Sequence, residues 1–226
     1  MQLFETGKMS DDGATRERIK RAARRLFAEK GVDAVAVRDI IAEAGQKNAS
    51  ALNYHFGSKE GLIETLIGDA LVIAHSRWGA ALDASEAAGG PRSIREVVEI
   101  LVLRGLPPNA PEGDEASARL LAMLLQTRRA VVLAAVARRG LTAYDRALRH
   151  IRRMMPDMPD SARNQRVLIY FWASTSVLAV LEGAAKPRGG YAKPWNTPDP
   201  LQNFIDAMVG MFEAPWTPPG RASAGQ

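Results

Sequence analysis

The sequence predicts an all-α protein, and three observations support this. Apolar residues recur at spacings of three and four positions along most of the chain, which is the period of an amphipathic helix. Clusters of glycine and proline interrupt this pattern and indicate loops. No segment alternates apolar and polar residues as a half-buried strand would. We therefore expect about nine helices and no sheet.

The N-terminal region predicts a flexible leader and three helices. Residues 1–14 lack periodicity and are expected to be the leader. A helix capped by Thr15 and ended by Gly31 follows. Its apolar stripe consists of Ile19, Ala22, Ala23, Leu26 and Phe27. Two short helices at about 37–44 and 49–54 complete the region.

The rest of the chain continues the helical pattern. Ser58 and Ser93 are expected to cap two further helices, and a segment beginning at Ala116 is expected to be bent or broken near Thr127. The helices are expected at about 59–82, from 93 onwards, and at 116–139, 141–155, 167–181 and 201–212. The Pro, Gly and Ser content from Ala214 onwards predicts a flexible tail.

The two short helices form a helix-turn-helix pattern, the arrangement that places its second helix in a DNA major groove. Side chains that can bind phosphates or base edges are concentrated in and after the turn. They are Gln46, Lys47, Asn48, Ser50, Asn53, Tyr54, His55 and Lys59. Three alternatives stay open: Tyr54 as a half-buried core aromatic, His55 as a partner of the last helix carbonyls, and Asn53 as an ordinary surface residue.

Three segments carry a resemblance to a known family: TRERIKRAARRLFAEKG, VRDIIAEAG and LNYHFGSKEGL. Over residues 15–67 the chain resembles the tetracycline-repressor (TetR) family of bacterial transcriptional regulators. The resemblance implies a three-helix DNA-binding domain at 15–58. It further implies a larger helical domain for effector binding and dimerisation at 59–213, which begins with a linking helix and leaves 214–226 as the tail.

The resemblance also implies roles for single residues. Tyr54, His55 and Lys59 would contact phosphates, and the turn and second helix would face the groove through Gln46, Lys47, Asn48, Ser50, Ala51 and Asn53. Two features depart from the family pattern. Ala36 stands where a Ser or Thr usually caps the second helix, and the turn AGQKNASALNYHF is one residue longer than the commonest spacing.

The apolar character of two late helices predicts a homodimer. Residues 167–181 and the final helix carry too much apolar surface for the exterior of a monomer. We expect the dimer contacts to include Trp172, Leu178, Phe204 and Met208. The alternative is that both helices fill the core of a single chain.

An effector site is expected among the middle helices, where aromatic, sulfur-bearing and polar side chains occur together. The candidates are Trp78, Met123, Gln126, Tyr144, His150, Phe171 and Thr175. Residues 128–153 also contain eight arginines and one acid. This run is either a solvated face or a source of one or two contacts to an acidic group on the effector.

Composition limits the function classes. The chain of 226 residues has a net charge of +5, no cysteine and three histidines. No metal-ligand spacing, phosphate-binding loop or nucleophile motif occurs, so we expect no enzyme, cofactor or metal. No run of 18 apolar residues is present, so we expect a cytoplasmic protein without a membrane partner.

The sequence therefore predicts a ligand-responsive, homodimeric transcriptional regulator, and we expect it to be a repressor. Its partners would be a near-palindromic double-stranded DNA operator, a small and largely hydrophobic effector, and a second copy of the chain. The first alternative is an architectural DNA-binding protein without a ligand. A helical enzyme ranks below it.

Overall fold

The computed structural model describes residues 11–105, 117–184 and 198–218, in which ten α-helices and no strand occur. The all-α prediction is confirmed. In chain order the helices are α1 Asp11–Lys30, α2 Val37–Glu43, α3 Ser50–Phe56, α4 Lys59–Ala87, α5 Ile94–Gly105, α6 Ser117–Thr127, α7 Arg129–Arg138, α8 Ala143–Met154, α9 Asp160–Ala184 and α10 Pro200–Glu213.

Three helices are longer than predicted. α1 begins at Asp11, so residues 11–14 of the expected leader are helical, whereas 1–10 lie outside the described residues. α4 continues to Ala87, and α9 already begins at Asp160. Polar residues extend a helix beyond its apolar stripe without altering the stripe, so periodicity alone underestimates helix length.

The predicted break near Thr127 is confirmed and lies at Arg128. The Arg128 N–H donates to the Leu124 carbonyl (2.6 Å), while the Arg128 carbonyl accepts from the N–H groups of Val131 and Val132. One residue thus ends α6 and begins α7. The two helices are bent by 110° at this point.

The described residues divide into two compact units. The first contains 11–70 and 117–135, and the second contains 71–105, 136–184 and 198–218. The division falls within α4 and α7. The first unit therefore includes α6 as well as the three N-terminal helices, an arrangement that the sequence pattern does not indicate.

The first unit is built on the predicted stripe of α1. Ile19, Ala23 and Phe27 are fully buried, and α1 packs against both α2 and α6. Lys20 is also buried, because its ammonium lies 2.7 Å from both the Asp69 carboxylate and that of Glu17. A buried lysine of this kind is stable only with such partners.

The second unit has a single apolar core, in which α5 packs against α8 and α10, and α10 also contacts α9. Its largest fully buried side chains include Tyr170, Phe212, Leu82 and Ile151. Ser93 begins α5 as predicted, since its hydroxyl accepts a hydrogen bond from the Glu96 N–H (3.2 Å).

The chain following α10 is packed against the second unit. The Arg166 guanidinium donates to the carbonyls of Phe212 (3.1 Å), Ala214 (2.5 Å) and Pro215 (3.3 Å). Trp216 is partly buried against the core. Residues 214–216 of the expected tail are therefore held by specific contacts, whereas 219–226 lie outside the described residues.

Across the described ranges, no single helix has both the length and the apolar character needed to cross a membrane. Only α6 and α7 taken together pass that test, and they are a sharply bent pair.

Candidate nucleic-acid interface

The helix-turn-helix is held by local hydrogen bonds, although α2 has no side-chain cap at Ala36. Ala36 precedes α2 and makes no side-chain cap hydrogen bond; instead the Asp39 carboxylate accepts from the Ala36 N–H (3.1 Å). The turn begins at Gly45, whose φ of 66° lies in the left-handed region that favours glycine. The Gln46 N–H then returns to the Ile41 carbonyl (2.9 Å).

Asn48 forms a hydrogen bond within the turn that precedes α3. Its side-chain oxygen accepts from the Ser50 N–H at 2.9 Å, which satisfies a donor at the start of α3. Lys47 and Asn48 are exposed and Gln46 is half-buried. Thus one predicted groove residue also binds the main chain at the start of α3, although the N-cap position itself is Ala49.

α3 presents two distinct faces. Ser50, Asn53 and Tyr54 are exposed and lie three and four positions apart, so they share one face, and Tyr54 is 77% exposed. Leu52 is fully buried on the other face. The alternative of Tyr54 as a half-buried core aromatic is excluded for this structure, because its ring lies outside the core.

His55 lies on the inner side of α3. Its side chain is only 6% exposed, and its Nε2 is 3.8 Å from the Asp12 carboxylate. The imidazole also contacts the rings of Tyr54 and Phe56, at centroid distances of 5.0 and 6.0 Å. His55 thus contributes to the packing of α3, and little of its side-chain surface is exposed for the expected phosphate contact.

The Lys59 side chain also binds groups of its own chain. Its ammonium donates to the carbonyls of Val32 (2.7 Å) and Val35 (2.6 Å) and lies 5.8 Å from the centre of the Phe27 ring. Residues 31–36 form the α1–α2 loop, so Lys59 attaches the start of α4 to this loop. Its expected phosphate contact stays a prediction, but the structure gives the ammonium a positioning role.

The junction between α3 and α4 is closely packed. Ser58 caps α4 as predicted, because its hydroxyl accepts from the Gly61 N–H (3.0 Å). A Cβ atom at Gly61 would overlap the main-chain carbonyl oxygen of Phe56. Glycine at this position allows α4 to pass directly over the end of α3.

This geometry coincides with a known sequence pattern. Residues 19–66 match the sequence model of the family described as bacterial regulatory proteins, tetR family. The match extends from the stripe of α1 through α2 and α3 into the first turns of α4.

Residues 19–66 thus carry the sequence pattern of the tetR family.

One relative of this chain is the HTH-type transcriptional repressor KstR2 of Mycolicibacterium smegmatis. The two are 35% identical over 74 residues, which is 33% of this chain and 36% of the relative. The chain therefore matches about a third of the length of this curated relative.

Two solved structures have the same fold. One is a bacterial regulatory protein in the tetR family from Rhodococcus RHA1, with a TM-score of 0.59 and 17% identity, covering 89% of this chain and 98% of that one. The other is GusR of Salmonella enterica, with a TM-score of 0.53 and 18% identity, covering 91% and 99%. At these identities the likeness shows the fold alone.

The second unit brings together three of the predicted effector residues. Trp78 and Tyr144 lie with ring centroids 5.6 Å apart, and Phe171 is 6.4 Å from Tyr144. The Trp78 indole donates to the Leu101 carbonyl (3.0 Å). The Tyr144 hydroxyl is buried and has no hydrogen-bond partner among the described residues, and burial raises the pKa of Tyr144 well above its ordinary value.

The other effector candidates lie outside this group of three aromatic rings. Met123 and Gln126 lie on α6 in the first unit, half-buried and exposed respectively. The Thr175 hydroxyl donates to the Phe171 carbonyl (3.0 Å) within its own helix. His150 binds the Glu86 carboxylate through Nε2 at 2.8 Å. Both side chains thus already have partners within the chain.

The predicted dimer residues fall into two groups, one on an exposed face of α9 and one in or against the core. Trp172 lies on a face of α9 that also carries Leu168 and Ile169, which are 47% and 53% exposed. Phe204 is only 4% exposed and belongs to the core of its own chain, and Leu178 and Met208 pack against that core. We correct the expected place of Phe204 accordingly, because a side chain buried in one chain has little surface for a second.

The arginine run is partly paired with acids that are distant in sequence. Arg128 binds the Asp33 carboxylate at 2.5 Å within the first unit. In the second unit Arg146 binds Asp83 (2.5 Å), Glu86 (3.3 Å) and the Gly79 carbonyl (3.1 Å). At these two positions the arginines form ion pairs within the chain and are not a plain solvated face.

Proposed function

We propose that the chain is a homodimeric transcriptional repressor that binds near-palindromic double-stranded DNA through α3. The exposed face of Ser50, Asn53 and Tyr54, next to the exposed Lys47 and Asn48, carries the proposal. The exposed Tyr54 ring makes no contribution to the core of its own chain. A DNA phosphate or base edge would provide a hydrogen-bond partner for the Tyr54 hydroxyl. The family match over the same residues and the repressor relative support this function.

The experiment that tests the DNA proposal begins with selection of a preferred duplex from a random pool. Asn53→Ala and Ser50→Ala should each weaken binding to this duplex, by about 1–3 kcal/mol for a true base contact, and should leave random DNA unaffected. Tyr54→Phe, as a phosphate contact, should weaken binding to both. Selection of the same sequence at the same strength by all three variants would refute the assignment of α3.

The proposed dimer is based on the exposed apolar face of α9. Leu168 and Ile169 are about half exposed beside Trp172 and Ala173, and an uncovered apolar face of this kind favours association. A second copy of the chain suits a near-palindromic operator, because paired recognition helices then bind paired half-sites.

The proposed effector is a small, largely hydrophobic molecule with a hydrogen-bond acceptor. The Tyr144 hydroxyl supports this class, since it is buried beside the rings of Trp78 and Phe171 and no residue in the described part of the chain accepts its hydrogen bond. A buried donor without an acceptor costs free energy that a bound acceptor would recover. Aromatic compounds that carry a hydrogen-bond acceptor and raise the melting temperature of wild type should therefore do so less for Tyr144→Phe.

Thermodynamic reciprocity tests the regulatory part of the proposal. A compound that weakens operator binding by a given factor must itself bind more weakly, by the same factor, when the operator is present. A compound that bound the wild type equally well with and without operator would not be the effector. Selective DNA binding that no compound weakens would favour the architectural alternative.

A further inference from the structure

Arg128 joins two parts of the first unit that are far apart in sequence. Its guanidinium binds the Asp33 carboxylate at 2.5 Å, across 95 positions of the chain. Asp33 lies in the α1–α2 loop, which leads directly into the helix-turn-helix. The Arg128 side chain is 32% exposed, so part of this ion pair is shielded from water.

The main chain of Arg128 defines the bend between α6 and α7. Its N–H completes the last turn of α6, and its carbonyl begins the first turn of α7. A change in the angle between these helices would therefore displace the Arg128 side chain together with its main chain. The guanidinium would transmit that displacement to Asp33.

The α1–α2 loop is held from a second direction. The Lys59 ammonium donates to the loop carbonyls of Val32 and Val35, the residues on either side of Asp33 and Ala34. Lys59 is the first residue of α4, which follows α3 after two residues. The loop is thus fixed both to the start of α4 and to the α6–α7 bend, and α2 begins immediately after it.

We infer that Arg128 is a positioning residue for DNA recognition, which couples the α6–α7 bend to the α1–α2 loop and so to the orientation of α2 and α3. The inference rests on the proposed function for its effect on DNA. An ion pair with this exposure changes an equilibrium by a factor of about 1.5 to 5. This factor is enough to tune operator selection without being required for folding.

The experiment uses the full-length chain, the duplex selected by wild type and a duplex of random sequence. Arg128→Gln should lower the ratio of selected to random affinity by about two- to fivefold, and Arg128→Lys should keep much of the ratio. The double variant Arg128→Asp with Asp33→Arg should restore it, because the pair is re-formed with reversed charges. Arg149→Gln removes the same charge from an exposed site on α8 and should leave the ratio unchanged.

Amide hydrogen exchange without DNA gives an independent readout. Arg128→Gln should speed exchange at residues 32–36 by about two- to fivefold and leave α5 and α10 unaffected. Circular dichroism should show unchanged helix content. This readout tests the coupling even if wild type selects no duplex, a result that would refute the proposed function.

Two results would overturn the inference. Equal losses on selected and random DNA with a reduced salt dependence would show that Arg128 contacts phosphate directly. Unchanged exchange at 32–36 together with an unchanged affinity ratio would show that the ion pair transmits nothing.

Discussion

Lys59 illustrates how a single residue can have a role that its motif does not indicate. In the resemblance it stands where the family contacts phosphate, but here its ammonium donates to two carbonyls of the α1–α2 loop. A cation that is hydrogen-bonded in this way stabilises the fold through two charge-assisted bonds. The same proton donors are then not available for DNA.

Lys59→Met should therefore act mainly on stability. The expected loss in the free energy of unfolding is about 1–3 kcal/mol, since two carbonyls lose their charged donor. Chemical denaturation measures this loss, and the salt dependence of DNA binding is measured in parallel. Full stability combined with a salt slope reduced by about one unit would instead establish the phosphate contact.

At the scale of single elements, α5 shows how a helix start acquires pH dependence. The Glu96 carboxylate accepts from the Arg92 N–H (3.0 Å) and from the Ser85 hydroxyl (2.7 Å), and the Ser93 hydroxyl caps the same turn. The hydrogen bond from the Arg92 main chain, followed by that from Ser85, lowers the pKa of Glu96 below its ordinary value of 4.5. Both bonds favour the charged form.

The sign of the pH effect follows from this lowered pKa. The contribution of Glu96 to stability is fully present above about pH 4.5 and is lost as the pH falls through the folded-state pKa. Glu96→Gln should therefore lower the free energy of unfolding at pH 7, by less than about 1 kcal/mol because the group is accessible to solvent. The difference from wild type should shrink below pH 4.5.

Glu99→Gln is the matched control for this prediction. It removes the same charge from the same helix but leaves the bonds to Arg92 and Ser85 in place. A difference between wild type and Glu96→Gln that stayed constant down to pH 2 would contradict the account of this helix start.

The sequence predicted helices well because their signals are local. Ser58, Ser93 and the break near Thr127 were all found in the expected places, since caps and breaks depend on a few neighbouring residues. The Lys59 contacts were not predictable, because main-chain carbonyls have no sequence signature. The pairing of Arg128 with Asp33 depends on tertiary packing across 95 positions.

At the scale of the whole molecule, tertiary packing also determines the different exposure of α9 and α10, which the sequence does not predict. Both helices are apolar, and the sequence alone assigned Trp172 and Phe204 equally to the dimer. The packing of α10 against α5 buries Phe204 within one chain and leaves the Leu168 and Ile169 face of α9 exposed. Which apolar face remains uncovered is decided by the packing of all helices in the unit.

The α9 face therefore gives the sharper prediction for the proposed dimer. Ile169→Glu should dissociate it at micromolar concentration, because a charge would have to be buried without a partner, and each chain should stay folded. Sedimentation velocity measures the association, and circular dichroism measures the fold. Leu103→Glu alters an equally exposed leucine on α5 and should leave the dimer intact. A wild-type monomer, or dissociation by both variants, would argue against this face.

The contact of Gly61 with the end of α3 also has a genetic consequence. Every other amino acid carries a Cβ atom, and at this position any Cβ would meet the Phe56 carbonyl oxygen. Every missense change at residue 61 should therefore impair the protein. Gly79 lies further along the same helix with open space around it, so Gly79→Ala should be tolerated. A saturation-mutagenesis scan of α4 should find Gly61 intolerant and Gly79 tolerant of alanine within the same helix.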